Sequence, residues 1–132
     1  MFITKEAELT GMQNASEAVA YTLKEMRNFT QPGMTTKQLD NYGAAILSDF
    51  GAKSAPFLTY GFPGWTCISV NNEFCHGIPS AYRILKEGDL VNIDNLRRWK
   101  KSLTTTIQMA KVPLHFLRHT FTGQELSLKL EI

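Results

Sequence analysis

Long apolar runs, cysteines and leader-like features are scarce in this chain of 132 residues. No run of eighteen apolar residues occurs, which argues against a membrane-spanning helix. The first residues lack a basic region followed by an apolar stretch, so we expect no secretory signal. Two cysteines, Cys67 and Cys75, are too few for a disulfide framework, and we expect reduced thiols. These features predict a cytoplasmic protein without a membrane partner.

Acidic residues are scarce in the last part of the chain. Residues 1–94 carry seven Lys or Arg and ten Asp or Glu, a net charge of −3. Residues 95–132 carry seven basic and two acidic residues, a net charge of +5. Such a step is typical of a basic tail for an acidic partner or of a segment of different origin. We therefore divide the chain into residues 1–94 and an unmatched basic tail, 95–132.

Two amphipathic helices are predicted in the first half. Thr4 can cap a helix that runs to about Asn28, with an apolar stripe at spacings of three and four, namely Met12, Ala15, Val19, Leu23 and Met26. Thr35 and Gln38 form a capping-box pattern for a second helix that ends at Gly51. That helix directs a second apolar set inward, consisting of Leu39, Tyr42, Ile46 and Phe50.

Short β segments are predicted from Ala55 onward. Residues 66–70 and 73–76 form a hairpin pattern around Asn71-Asn72. A further strand at 90–94 places Val91 and Ile93 on one face and Leu90, Asn92 and Asp94 on the other. After Asp94 no periodicity predicts a regular element, so we expect an irregular tail. Helices followed by an antiparallel sheet favour an α+β fold with helices on one sheet face.

Few side chains are candidates for chemistry on local grounds. Asp94, at the end of an apolar strand, is either a solvent-facing carboxylate or a metal ligand, because a buried carboxylate needs a partner. Cys75 and His76 are adjacent in a predicted strand and should point to opposite faces, so they should not bind one metal. His115 and His119 have zinc-protease spacing, but Phe116 replaces the general base.

Four motifs resemble those of the type I methionine aminopeptidases, in the same order and spacing. Residues 67–79, CISVNNEFCHGIP, are similar to the family's hairpin signature, and residues 85–94, LKEGDLVNID, to its following strand. Residues 32–40 are similar to the junction before the second helix, and residues 6–12 to the opening helix. The resemblance covers residues 3–94.

The resemblance implies a pita-bread fold, of which this chain has only the first half. It also implies a peptidase, dependent on divalent Co, Mn, Fe or Zn, that removes the initiator methionine from nascent polypeptide N-termini, with the ribosome as a possible partner and no specific DNA. Asp94 resembles a metal-ligating aspartate, and His76 resembles the catalytic histidine that contacts the scissile peptide. Phe62 and Cys67, with His76, correspond to substrate-binding positions, the first two lining the methionine pocket.

The chain departs from this pattern after Asp94. The family's second aspartate ligand lies eleven residues later, where this chain has Thr105. The remaining ligands, a histidine and two glutamates, have no matching context, although residues of the right type exist in the tail: His115, His119, Glu125 and Glu131. One ligand of five does not make a binuclear site.

Three hypotheses follow. The first is an aminopeptidase product whose end is replaced, inactive as given. The second is a non-catalytic peptide- or RNA-binding module with a basic tail that includes Arg97–Lys101. The third is an active enzyme completed by tail ligands or by a second chain.

Overall fold

The computed structural model describes residues 5–99 and 102–111. The elements, in chain order, are α1 (Glu6–Phe29), α2 (Thr36–Asp49), β1 (Lys53–Ser54), α3 (Ala55–Tyr60), β2 (Cys67–Val70), β3 (Leu90–Trp99) and β4 (Ser102–Lys111). Within these two ranges, no helix has both the length and the apolar character that a membrane crossing requires.

Strand β3 is the centre of an antiparallel sheet. It pairs with β4 along its whole length, from Leu90↔Lys111 to Trp99↔Ser102. Its other edge is shared by β2, which pairs with residues 91–94, and by β1, which pairs with residues 97–98. Helices α1 and α2 pack against each other, and α1 also packs on β3 and β4. The buried core lies between helices and sheet, and comprises Val19, Leu23, Met26, Leu39, Ile68, Val70, Leu85, Val91 and Ile93.

Both predicted helices are present. Four of the five predicted stripe residues of α1 are buried, and Met12 is exposed. The helix begins at Glu6 with Lys5 at its N-cap, so the prediction of Thr4 as the cap is wrong; Thr4 itself lies outside the described residues. The capping box between Thr35 and Gln38 is confirmed, because each side chain accepts from the other residue's backbone N–H.

The predicted hairpin is wrong in its second strand. Strand β2 is present, but residues 73–76 form no strand, and β2 pairs with β3 instead. Asn71 has a positive φ of 58°, as a tight turn requires, but its backbone N–H donates to the Leu90 carbonyl and its side chain accepts from the Leu90 N–H. The turn is therefore fixed to the start of β3, and the chain meets β2 again only at Gly77, whose carbonyl accepts from the Ile68 N–H, without forming a strand.

The expectation of β structure from Ala55 is also wrong at its start, because residues 55–60 form α3. The Ser54 side chain accepts from the Phe57 N–H at the N-cap, and Pro56 lies in the first turn. Gly61 ends the helix with φ +65° in the left-handed conformation. These three local signals define a helix too short for periodicity to reveal.

The expectation of an irregular chain after Asp94 is wrong for the described part of the tail. Residues 95–99 continue β3, and residues 102–111 form β4. Asp94 therefore lies in the middle of a strand and not at its end. The division of the chain at residue 94 stays a prediction, and the expectation for residues 112–132 lies outside the described residues.

Candidate functional site

Three of the four predicted site residues lie together at one point of the sheet. Cys67 on β2 and Asp94 on β3 are paired across the two strands. His76 approaches them from the segment after β2, with its Nδ1 3.9 Å from the Cys67 Sγ. The structure therefore brings together, from three separate parts of the chain, the residues that the resemblance assigns to substrate and metal binding.

His76 is held by backbone geometry and not by a strand. Its φ of +56° is in the left-handed region, which is uncommon for a residue with a side chain and is often associated with functional sites. The next residue is fixed on both sides: the Gly77 carbonyl accepts from the Ile68 N–H at 2.8 Å, and the Gly77 N–H donates to Ser69 Oγ at 3.1 Å. This arrangement directs His76 towards Cys67, whereas Cys75 is exposed.

Asp94 is a half-buried carboxylate with spare acceptor capacity. Its Oδ1 is buried and has no hydrogen-bond partner among the described residues, and the same holds for Asn92 Oδ1. Burial raises the pKa of the Asp94 carboxyl above its ordinary value, although nearby His76 and the Asn95 backbone N–H act in the opposite direction. A desolvated carboxylate oxygen with no donor is suited to binding a cation.

Phe62, the fourth predicted residue, is half-buried in the loop between α3 and β2. A Cβ atom placed on Gly64 would lie 2.9 Å from the ring of Pro79 and 3.2 Å from the ring of Phe62. Both rings therefore crowd the backbone at Gly64, which has room only for a hydrogen. This contact joins the loop of Phe62 to the segment that follows His76.

The described residues do not complete a binuclear metal centre. They contain no group of three or more His, Cys, Asp or Glu side chains arranged to hold a metal ion. The backbone of Thr105 lies on β4 in register with Leu96, and a threonine hydroxyl does not replace a carboxylate. The other candidate ligands, His115, His119, Glu125 and Glu131, lie outside the described residues. Among the described residues, Asp94 offers a buried carboxylate oxygen that suits a cation, and its role as a metal ligand stays a prediction.

Several residues that the sequence alone did not identify hold the candidate site in place but are not themselves part of it. Ser69 and Glu73 hold the segment that carries His76, and the Glu73 carboxylate accepts from the Val70 N–H at 2.8 Å. Asp40 is fully buried and accepts hydrogen bonds from the residues just before Cys67. An Asp on the inner side of an amphipathic helix is the signal that could have drawn attention to it.

Known proteins match most of this chain. The model of metallopeptidase family M24 matches residues 10–110. Methionine aminopeptidase 2 of Bacillus subtilis is 53% identical over 94 residues, which make up 71% of this chain and 38% of that protein. The chain thus spans well under half the length of this relative. These comparisons do not support the alternative of a non-catalytic peptide- or RNA-binding module with a basic tail.

Solved structures agree with the sequence comparison. The crystal structure of a methionine aminopeptidase from Thermotoga maritima matches with a TM-score of 0.79 and 31% identity, over 86% of this chain and 45% of that one. An X-Pro aminopeptidase from the same organism matches with a TM-score of 0.68 at 18% identity, over 86% of this chain and 31% of that one. The latter supports the fold alone. The described helices and sheet are thus part of the pita-bread fold.

Proposed function

Because the chain belongs to metallopeptidase family M24, we propose that it carries the methionine-binding part of a methionine aminopeptidase. The observation that supports this proposal is the meeting of Cys67, His76 and Asp94 at the pairing of β2 with β3. In this proposal the apolar Phe62 and Cys67 contact the methionine side chain, since a thioether favours apolar and polarisable surroundings. His76, which is exposed beside them, donates or accepts a hydrogen bond at the peptide that follows methionine.

The proposal gives Asp94 the role of one ligand to a divalent ion. Co, Mn, Fe and Zn remain the candidates, because a single carboxylate does not discriminate among them. Divalent ions supply polarisation of a peptide carbonyl and activation of water in hydrolases. The described residues bind substrate and contribute one ligand, but they do not assemble a hydrolytic centre by themselves.

The proposed substrates are the N-termini of nascent polypeptides, with the ribosome as the place where they become accessible. This places the chain in the cytoplasm. Neither Cys67 nor Cys75 forms a disulfide bond in the structure, as that compartment favours.

Titration with L-methioninol, a small analogue of N-terminal methionine, tests the proposal. We expect ¹H–¹⁵N NMR shifts at the amides of Phe62, Cys67 and His76, and no comparable shifts with L-alaninol, which lacks the thioether. Phe62→Ala should weaken binding about tenfold, since it removes much of an apolar contact. Phe74→Ala, which truncates an aromatic side chain that is 94% exposed, is the matched control and should change nothing. Absence of methioninol-specific shifts at these three amides would refute the proposal.

A further inference from the structure

Asp40 is a buried carboxylate that makes more hydrogen bonds than its place on a helix requires. It lies on α2, and its side chain is fully buried. Its Oδ1 accepts from the backbone N–H groups of Trp65 and Thr66, at 2.9 and 2.8 Å, and from the Thr66 hydroxyl at 2.8 Å. Its Oδ2 accepts from the Lys37 ammonium at 3.2 Å. Three donors on a single oxygen balance the cost of burying its charge.

These hydrogen bonds hold one short segment at a fixed place relative to α2. Trp65 and Thr66 lie between Phe62 and Cys67, the two residues assigned to the methionine side chain. The Ser54 hydroxyl donates to the Trp65 carbonyl at 3.4 Å and provides a second, weaker tether. Since Thr66 is itself buried, its backbone N–H would lose a partner if Asp40 were removed.

We propose that Asp40 is a positioning residue for the methionine site. It fixes the backbone at Trp65 and Thr66 and thereby sets where Phe62 and Cys67 lie relative to each other and to His76. The assignment rests on the proposed function of Phe62 and Cys67. Asp40 acts through these residues, since its described partners are Lys37, Trp65 and Thr66.

The chemistry of the contact distinguishes Asp from its closest analogue. In Asp40→Asn the amide oxygen can still accept at the Oδ1 position, but the amide N–H₂ then faces the Lys37 ammonium, a donor against a donor. Replacing Lys37 with Glu restores an acceptor at that point. The double variant Asp40→Asn with Lys37→Glu therefore tests whether the contact network, and not the carboxylate as such, is what the site requires.

The first measurement is the alkylation rate of Cys67 by iodoacetamide in a Cys75→Ser background, which removes the exposed thiol. Cys67 is only 6% exposed, so its rate reports opening of the segment before it. We expect Asp40→Asn to raise the rate about tenfold, because the amide N–H₂ opposes the Lys37 ammonium and displaces the oxygen that accepts from Trp65 and Thr66. The double variant should return it close to the parent rate. Lys37→Gln, the control, leaves the three hydrogen bonds to Oδ1 and should change the rate less than about threefold.

The second measurement is the affinity for L-methioninol relative to L-leucinol, by NMR titration at a temperature where every variant is folded. A displaced pocket wall should lower the preference for methioninol in Asp40→Asn and not in Lys37→Gln. A general loss of stability would lower the unfolding midpoint without altering this ratio. If Asp40→Asn does not fold, Thr66→Val removes one of the hydrogen bonds and should raise Cys67 alkylation about threefold.

Two results would overturn the proposal. The first is an unchanged rate of Cys67 alkylation in both Asp40→Asn and Thr66→Val. The second is an unchanged preference for methioninol over leucinol in a variant whose Cys67 is alkylated faster. If the parent chain binds no methioninol, the proposed function has failed. The alkylation rates then still decide whether Asp40 positions the segment that carries Cys67.

Discussion

At the scale of single residues, Asp94 illustrates how a buried carboxylate without a full set of partners destabilises the protein that carries it. Its half-buried carboxylate keeps an oxygen without a partner among the described residues, and burial raises its pKa. The folded chain therefore binds the carboxyl proton of Asp94 more tightly than the unfolded chain does. The stabilisation from Asp94 is fully present below the unfolded pKa, about 3.9, and is lost as the pH rises through the raised folded pKa.

We expect Asp94→Asn to make the metal-free chain more stable at neutral pH, because the neutral amide avoids the cost of burying a charge. Near pH 4, about the unfolded pKa of an Asp, the two chains should be nearly equal in stability. Urea unfolding in EDTA at both pH values measures the difference. An increase of the same size at both values would contradict the argument.

Asp89→Asn is the matched control, and we expect it to change stability in the opposite direction. The pKa of Asp89 is lowered, first by the Asn71 side chain and then by the Lys86 backbone N–H. Its stabilisation is present above the unfolded pKa and is lost as the pH falls through the lowered folded pKa. Asp89→Asn should therefore reduce stability at neutral pH and have less effect in acid.

Asn95, the residue after Asp94, is a second polar residue whose burial is unfavourable. Its side chain is fully buried, and neither its oxygen nor its nitrogen has a hydrogen-bond partner among the described residues. An unpaired amide in such a place costs about 1–3 kcal/mol. Valine has a similar volume and no polar atoms, so we expect Asn95→Val to raise the free energy of unfolding by about that amount.

Urea denaturation measures this effect, and Asn72→Val is the control. Asn72 is exposed in the turn after β2, where the same replacement should change the free energy of unfolding by no more than about 0.5 kcal/mol. A loss of stability in Asn95→Val would show that Asn95 has partners that the described residues do not provide.

At the scale of elements, what could be predicted from the sequence depended on whether the signal was local. The capping box of α2 is set by Thr35 and Gln38, three residues apart, and was predictable. Strand β4 was missed although it is the next strand after β3, with Trp99 opposite Ser102, because Lys100 and Lys101 are not the Asn or Gly residues typical of hairpin turns and the Thr104–Thr106 run interrupts the apolar alternation. The prediction of a second hairpin strand at residues 73–76 was wrong because the Asn71 side chain accepts a hydrogen bond from the Leu90 N–H, nineteen residues away in the chain. No local pattern contains such a partner.

The same distinction applies to the site. Motif resemblance named Cys67, His76 and Asp94, but only the strand register places Cys67 opposite Asp94. His76 reaches them through a positive φ and two hydrogen bonds around Gly77. The sequence argument that Cys75 and His76 alternate across a strand does not apply, because no strand is present there.

The capping box of α2 should contribute measurably to stability. In Thr35→Ala the Gln38 N–H loses its acceptor at the first turn, and we expect the free energy of unfolding to fall by about 1 kcal/mol. Thr35→Ser keeps the hydroxyl and should lose less. Urea denaturation of the three chains tests this, and equal stability of the Ala and Ser variants would contradict a capping role.

At the scale of the whole molecule, the proposed binding of methionine and the hydrolysis of the peptide bond after it require different sets of residues. The described residues supply the proposed methionine contacts and Asp94, whereas hydrolysis in the proposed reaction needs a metal centre with several ligands. The chain covers 38% of the Bacillus subtilis relative and 45% of the Thermotoga maritima structure. The proposed function therefore assigns methionine binding, and not cleavage, to the described residues.

We expect the purified chain to release no methionine from a Met-Ala-Ser peptide when Co²⁺ or Mn²⁺ is added. A single carboxylate does not hold two divalent ions at neutral pH, and the position eleven residues after Asp94 is a threonine. Quantification of free methionine by amino-acid analysis measures the outcome, with the Bacillus subtilis methionine aminopeptidase 2 as the positive control. Clear metal-dependent release would contradict this expectation. Mutation of His115 and His119 would then show whether tail residues complete the centre, because loss of metal uptake in those variants assigns them as ligands.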